Sequence, residues 1–153
     1  LGGNSNAFDA FLLNMGMKTL ELRMDRHCHN GMEVASYLEA HDSVAHVNYT
    51  GLISHPDYYV SMKQMKHPGA LMSFELKGGL EAGIQFIDKL QMCVRAVSLG
   101  TVDTLISHPA SMTHFSVPRE ERIKFGITDG LIRVSVGIEN VADILNDFEQ
   151  ALQ

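Results

Sequence analysis

Between Gly69 and Gly78 the chain alternates with a period of two, Ala70, Met72, Phe74 and Leu76 falling on one side and Leu71, Ser73 and Glu75 on the other. The run Gly130 to Gly137 repeats the pattern, with Ile132, Val134 and Val136 set against Leu131, Arg133 and Ser135. Successive side chains of a strand point to opposite faces, so each run reads as a strand with one buried face. Such a sheet needs an apolar cover on that face alone. LEAGIQFIDKLQM (80–92) supplies one, carrying Leu80, Ile84, Ile87 and Leu90 at helical spacing. A second begins at Asn140, a good N-cap, and turns Val141, Ile144, Leu145, Phe148 and Leu152 inward.

The rest of the chain follows the same logic. Phe8, Phe11, Leu12 and Met15 are spaced as on a helix, and after Gly16 a second register runs through Leu20, Met24, Cys28, Gly31, Ala35 and Leu38 to make one apolar stripe. HDSV (41–44) turns into a short strand, VAHVNY, ended by Gly51, and HPDYYVSMKQM (55–65) reads as a short helix with Pro56 at its first position. Short strands are expected at RAVS (95–98) and TLIS (104–107), an ordered loop at 108–117 and a short helix at 118–125 stopped by Gly126. Helices too short to serve as generous crossovers point to an α/β (α+β) fold: a mainly antiparallel sheet with helices packed on one face.

A chain of 153 residues, 45% hydrophobic and 20% charged, can bury one ordinary core, so residues 1–153 are expected to form one domain. The opening LGGNSNAFDAF has no basic n-region, long apolar run or initiator Met, and reads as an internal stretch of a longer protein. No segment approaches the roughly 20 apolar residues that cross a bilayer. A net charge of -6 with scattered basic residues argues against nucleic acid, whose binding rests on clustered Lys and Arg. Cys28 and Cys93 lie in apolar surroundings without paired spacing, as reduced thiols of a cytoplasmic protein would. His27 and His29 flank Cys28, but a two-ligand helix face needs i and i+4, so no metal site is expected.

Arg133 is the most informative residue for chemistry. It stands mid-strand between branched apolar neighbours, on the face opposite the packed one, where a guanidinium needs either solvent or an anion. Two readings stay open: a solvated or salt-bridged strand arginine, or a planar fork for a carboxylate or phosphate. Ser98, before Leu99 and Gly100, can supply a hydroxyl or a turn amide to the same anion, or serve the turn alone.

Three segments are more specific. AFDAFLLNMGMKTLELRMDRHCHN (7–30), GALMSFELKGGLEAG (69–83), and AVSLGTVDTLISHPASMTH (96–114) with GITDGLIRVSVGIEN (126–140) strongly resemble the C-terminal part of the Cys/Met-metabolism family of pyridoxal-phosphate enzymes. Its members include cystathionine synthases and lyases, O-acetylhomoserine sulfhydrylases and methionine-cleaving lyases. The resemblance implies an aspartate aminotransferase-like fold, of which this chain would be the small C-terminal domain that closes over the substrate. Arg133, in the strand matching IRxSVGxE, would pair with the α-carboxylate of a sulfur amino acid. Ser98, in the SLG turn, would support that carboxylate, with Leu99 adjacent and Thr113, in SMTH, lining the same pocket. Asn6-Ala7 departs from the Ser-Pro that the family often places before the FDA or FNA triplet.

The resemblance also implies what lies elsewhere. The Schiff-base lysine and the phosphate cradle of the cofactor belong to the family's large domain, and Lys18, Lys63, Lys66, Lys77, Lys89 and Lys124 all fall in segments matching other parts of the C-terminal domain. The chain alone is therefore expected to hold no catalytic or cofactor-binding residue, to be inactive by itself, and to work with its own large domain in a homo-oligomer, usually a tetramer. Val97 stands where γ-type cystathionine enzymes commonly carry an acidic residue, and an apolar residue there resembles the methionine-cleaving members. A sulfhydrylase or cystathionine enzyme is the alternative within the family, and a freestanding α/β interaction module the alternative outside it.

Overall fold

A computed structural model describes residues 3–153. The chain forms α1 (Ala7–Met17), α2 (Leu20–Ala40), β1 (Val44–Asn48), α3 (Tyr58–Gln64), β2 (Leu71–Leu76), α4 (Gly79–Lys89), β3 (Val94–Arg95), β4 (Leu105–Ser107), α5 (Arg119–Lys124), β5 (Leu131–Ser135) and α6 (Val141–Leu152). The strands make one sheet in the order β1-β2-β5-β4-β3, antiparallel except for the β3–β4 pair. Helices α2, α4 and α6 share one core with one face of this sheet, as the sequence predicts.

That core is centred on three aromatic rings. Phe74 from β2, Phe86 from α4 and Phe148 from α6 meet with centroids 5.5–6.5 Å apart, two of the three pairs edge to face. Val34, Ala35 and Leu38 of α2 join it, as do Ile132 and Val134 of β5, all fully buried. The expected α4 stripe is rotated: Leu80 and Ile84 are 44% and 39% exposed, while Gly83, Phe86 and Ile87 face inward. Phe86 sets that rotation by docking on Phe74, and Gly83 permits it, since a Cβ there would lie 2.5 Å from Nε2 of the buried His108.

The N-terminal stripe differs more. Asn6 caps α1 through a reciprocal box with Asp9, so its departure from Ser-Pro still starts a helix. Yet Phe8, Phe11, Leu12 and Met15 are all exposed, and burial on α2 begins only at His27. Helical spacing identifies an apolar face without saying what covers it, and here the sheet lies under the second half of α2 alone. Gly16 remains within α1, and Pro56 precedes α3 rather than opening it.

The strand expected at 95–98 ends early, because the last ladder bond is Ala96 N–H to the Ile106 carbonyl at 3.0 Å. Beyond it the chain leaves the sheet in a turn at Gly100, whose φ of 80° suits glycine. His27 is buried and donates from Nδ1 to the Val136 carbonyl at 2.7 Å, which accounts for it structurally. Cys28 and Cys93 are buried free thiols, and burial, then Asp147, pushes the Cys93 thiol up, so it is not a nucleophile. Among the described residues no helix is long and apolar enough to cross a membrane, and no group of His, Cys, Asp and Glu could hold a metal ion.

Candidate functional site: an anchored arginine on the open sheet face

The second face of the sheet is polar and uncovered by α2, α4 or α6. Strand pairing sets Asn48, Ser73, Arg133 and Ser107 in one row across β1, β2, β5 and β4. Arg133 sits at the centre of that row, between the buried Ile132 and Val134 that hold its strand to the core. An open cavity of about 290 Å³ lies over it, lined also by Asn48, Thr50, His55 and Ser73, with no lysine among its residues.

The guanidinium is already oriented. Nη2 donates to the carbonyl oxygens of Val97 at 2.9 Å and Ser98 at 2.7 Å, both in the turn that follows β3. Nε is buried with no hydrogen-bond partner, and among the described residues no Asp or Glu forms an ion pair with Arg133. A buried polar group left unpaired costs about 1–3 kcal/mol, more for a charged one. A two-oxygen anion is the partner that a planar fork of this kind accepts best. Of the two structural readings, solvated or salt-bridged, the described residues provide no salt bridge.

The neighbouring groups are not bases. Burial, then the nearby Cys28, pushes the Tyr49 phenol well above its ordinary range, and its hydroxyl donates to the Gly69 carbonyl at 2.7 Å. His55 is occupied on both ring nitrogens, Nε2 donating to Asn48 Oδ1 at 2.8 Å and Nδ1 accepting from the Asp57 amide at 3.0 Å. The site can bind and orient an anion, and proton transfer would have to come from outside it.

Of the residues singled out in the sequence, Val97 and Ser98 are brought to Arg133 through their main chains. The Val97 and Leu99 side chains are 57% and 54% exposed on the turn. Thr113 is exposed, its Oγ1 meets His114 Nδ1 at 2.8 Å, and it lines no cavity with Arg133. Sequence reasoning did not single out Ser73 and Asn48, which share the row and the cavity of Arg133 only through strand order. Ser135 was within reach, lying two residues from Arg133 on the same strand face.

The model of the family described as Cys/Met metabolism PLP-dependent enzyme matches residues 1–153. The chain is 53% identical over 145 residues to an L-methionine gamma-lyase of Fusobacterium nucleatum subsp. polymorphum, covering 95% of this chain and 37% of that protein. It is 50% identical over 151 residues to the L-methionine gamma-lyase of Porphyromonas gingivalis, covering 99% of this chain and 38% of that protein. A Cystathionine beta-lyase of Coxiella burnetii is 47% identical over 152 residues, covering 99% and 39%. The chain thus spans about two fifths of the length of these curated relatives. With a family match that runs over residues 1–153 and relatives about half identical along nearly all of it, the chain belongs to the Cys/Met-metabolism family of pyridoxal-phosphate-dependent enzymes.

Proposed function

We propose that this chain is the small, substrate-gripping domain of a methionine γ-lyase, with Arg133 as the ligand of the substrate α-carboxylate. The observation that carries the reading is the Arg133 guanidinium, fixed at Nη2 by the Val97 and Ser98 carbonyls while its buried Nε is left without a partner. A carboxylate takes up the accessible guanidinium N–H groups that the two turn carbonyls leave free, in a charge-assisted pair. The residues around the cavity fit the substrate and not the cofactor, since no lysine lines it. Pyridoxal phosphate, when bound, supplies the electron sink for charge that develops beside the amino-bearing carbon.

This chain's own part is positional. Arg133 grips one substituent of that carbon, so the direction of its C–H bond is limited by a contact made on a rigid strand rather than a loop. The exposed Val97 side chain leaves an apolar surface beside the bound amino acid, suited to an uncharged methylthio tail. Methionine and water would yield methanethiol, 2-oxobutyrate and ammonia. In the same reading the rest of a longer protein supplies the lysine and the phosphate cradle and covers the open sheet face and the bare apolar side of α1, within a cytoplasmic homo-oligomer. The test is the full-length protein assayed with methionine, with cystathionine, and with O-acetylhomoserine plus sulfide. Methionine is expected to be cleaved most efficiently, and a preference for either alternative overturns the assignment.

Val97 supports choosing methionine within the family. A carboxylate at this position, once covered by the bound substrate, would go unsatisfied with methionine and could pair with the distal ammonium of cystathionine. Val97→Glu in the full-length enzyme is therefore expected to lower efficiency toward methionine and raise cystathionine relative to it. Competition between the two substrates at fixed pH, scored by the thiol released, measures that ratio. An unchanged or methionine-shifted ratio, with cofactor still bound, shows that Val97 does not meet the substrate tail.

A further inference from the structure

We propose that Ser135 is a positioning residue for carboxylate binding, acting through the turn that holds Arg133. The proposal rests on the reading of Arg133 as the carboxylate ligand. Ser135 lies two residues beyond Arg133 on the same face of β5, is buried, and its Oγ accepts a hydrogen bond from the Gly100 amide at 2.9 Å. The Gly100 φ of 80° directs that amide to the strand.

The turn has few other anchors. On one side the Ala96 amide bonds the Ile106 carbonyl at 3.0 Å, and on the other the Ile138 amide bonds the Val102 carbonyl at 2.8 Å. Between these, among the described residues, 97–101 is tied to the sheet by hydrogen bonds from Arg133 to Val97 and Ser98 and by the bond to Ser135. The Val97 and Leu99 side chains point away from the core, so packing does not replace those bonds. Arg133 and Ser135 thus form two clamps on one strand. One takes the carbonyls at the start of the turn, and the other takes the amide at its end.

The consequence is directional. If Ser135 releases Gly100, the Val97 and Ser98 carbonyls lose their fixed distance from β5, and Nη2 loses the two acceptors that set the plane of the fork. A carboxylate then meets a guanidinium that must be ordered on binding. A ligand without a carboxylate does not sense the change.

The experiment uses the full-length protein with its cofactor and titration calorimetry of two ligands, norleucine and n-pentylamine, which share an alkyl chain and an amine and differ by the carboxylate. Ser135→Ala is expected to weaken norleucine about fivefold, the size of one net hydrogen bond, and to leave pentylamine unchanged. Ser135→Thr keeps an oxygen on a strand-compatible side chain and is expected to restore norleucine. Arg133→Ala is expected to bring norleucine down to the level of pentylamine. If Arg133→Ala removes the preference for norleucine while Ser135→Ala leaves it intact, the positioning role is wrong and the carboxylate reading stands. If Arg133→Ala leaves the preference intact, both fall. Equal weakening of both ligands by Ser135→Ala marks a merely structural serine and also overturns the proposal. Should Ser135→Ala not fold, Ser135→Cys, of similar volume but a weaker acceptor, takes its place, and an unchanged preference there is equally decisive against it.

Discussion

Replacing Arg133 by Ala in the full-length enzyme is expected to lower kcat/KM for methionine by about 30-fold to several thousand-fold. That range corresponds to the roughly 2–5 kcal/mol typically lost when one partner of a buried, hydrogen-bonded charge pair is removed. The geometry favours a large effect, because the Val97 and Ser98 carbonyls already hold Nη2 and little order remains to be gained on binding. Arg133→Lys is expected to recover only part of the loss, since an ammonium keeps the charge but cannot satisfy two turn carbonyls and a carboxylate in one plane. Cofactor absorbance should be unchanged in both variants, as Arg133 has no part in holding the cofactor in this scheme. A loss of less than about tenfold for Arg133→Ala, only about 1.4 kcal/mol, would exclude Arg133 as the carboxylate ligand.

The second large effect concerns stability. Asp147 of α6 is buried, and its carboxylate accepts from three successive amides: Gln91 at 2.8 Å, Met92 at 3.0 Å and Cys93 at 2.8 Å. It thereby fixes the chain between α4 and β3 to the last helix. Burial raises its pKa, but the Cys93, Gln91 and Met92 amides outweigh it, and the carboxyl lies below its ordinary value. Its stabilisation is thus fully present above the unfolded-state pKa, near 4, and is lost as pH falls through the lower folded value. Asp147→Ala is expected to cost about 3 kcal/mol, because the buried Cys93 amide is left unpaired while the amides of the exposed Gln91 and Met92 turn to water. Asp147→Asn, with one acceptor oxygen, should lose about half of that. Hydrogen exchange of the peptide spanning 91–95 in the full-length protein reads the effect: protected amides are expected to exchange much faster in Asp147→Ala. Unchanged protection would show that the three bonds do not hold this segment.

Much of this architecture is legible in the chain. Period-two alternation at 70–76 and 130–137 reports which side chains share a face, a local property that survives folding. Phe74, Ile132 and Val134 are accordingly buried, and Arg133 stands on the other face. The same reasoning is weaker for helices. A stripe defines a wide arc, and only the tertiary contact selects the part that docks, as Phe86 and Gly83 do on α4. For α1 the stripe predicts burial that this part of the fold does not provide.

The site divides along the same line. Sequence by itself determined that an arginine would stand mid-strand on an uncovered face, and its resemblance to a known family determined which chemistry to expect there. The tertiary structure decided how that arginine is held. The carbonyls of Val97 and Ser98, the clamp of Ser135 on Gly100, and the row from Asn48 to Ser107 all depend on β5 lying between β2 and β4. Alternation is written in neighbouring residues. The pairing order of strands far apart in the chain is set by how the aromatic core closes beneath them, and it is that order which turns a strand arginine into an oriented fork.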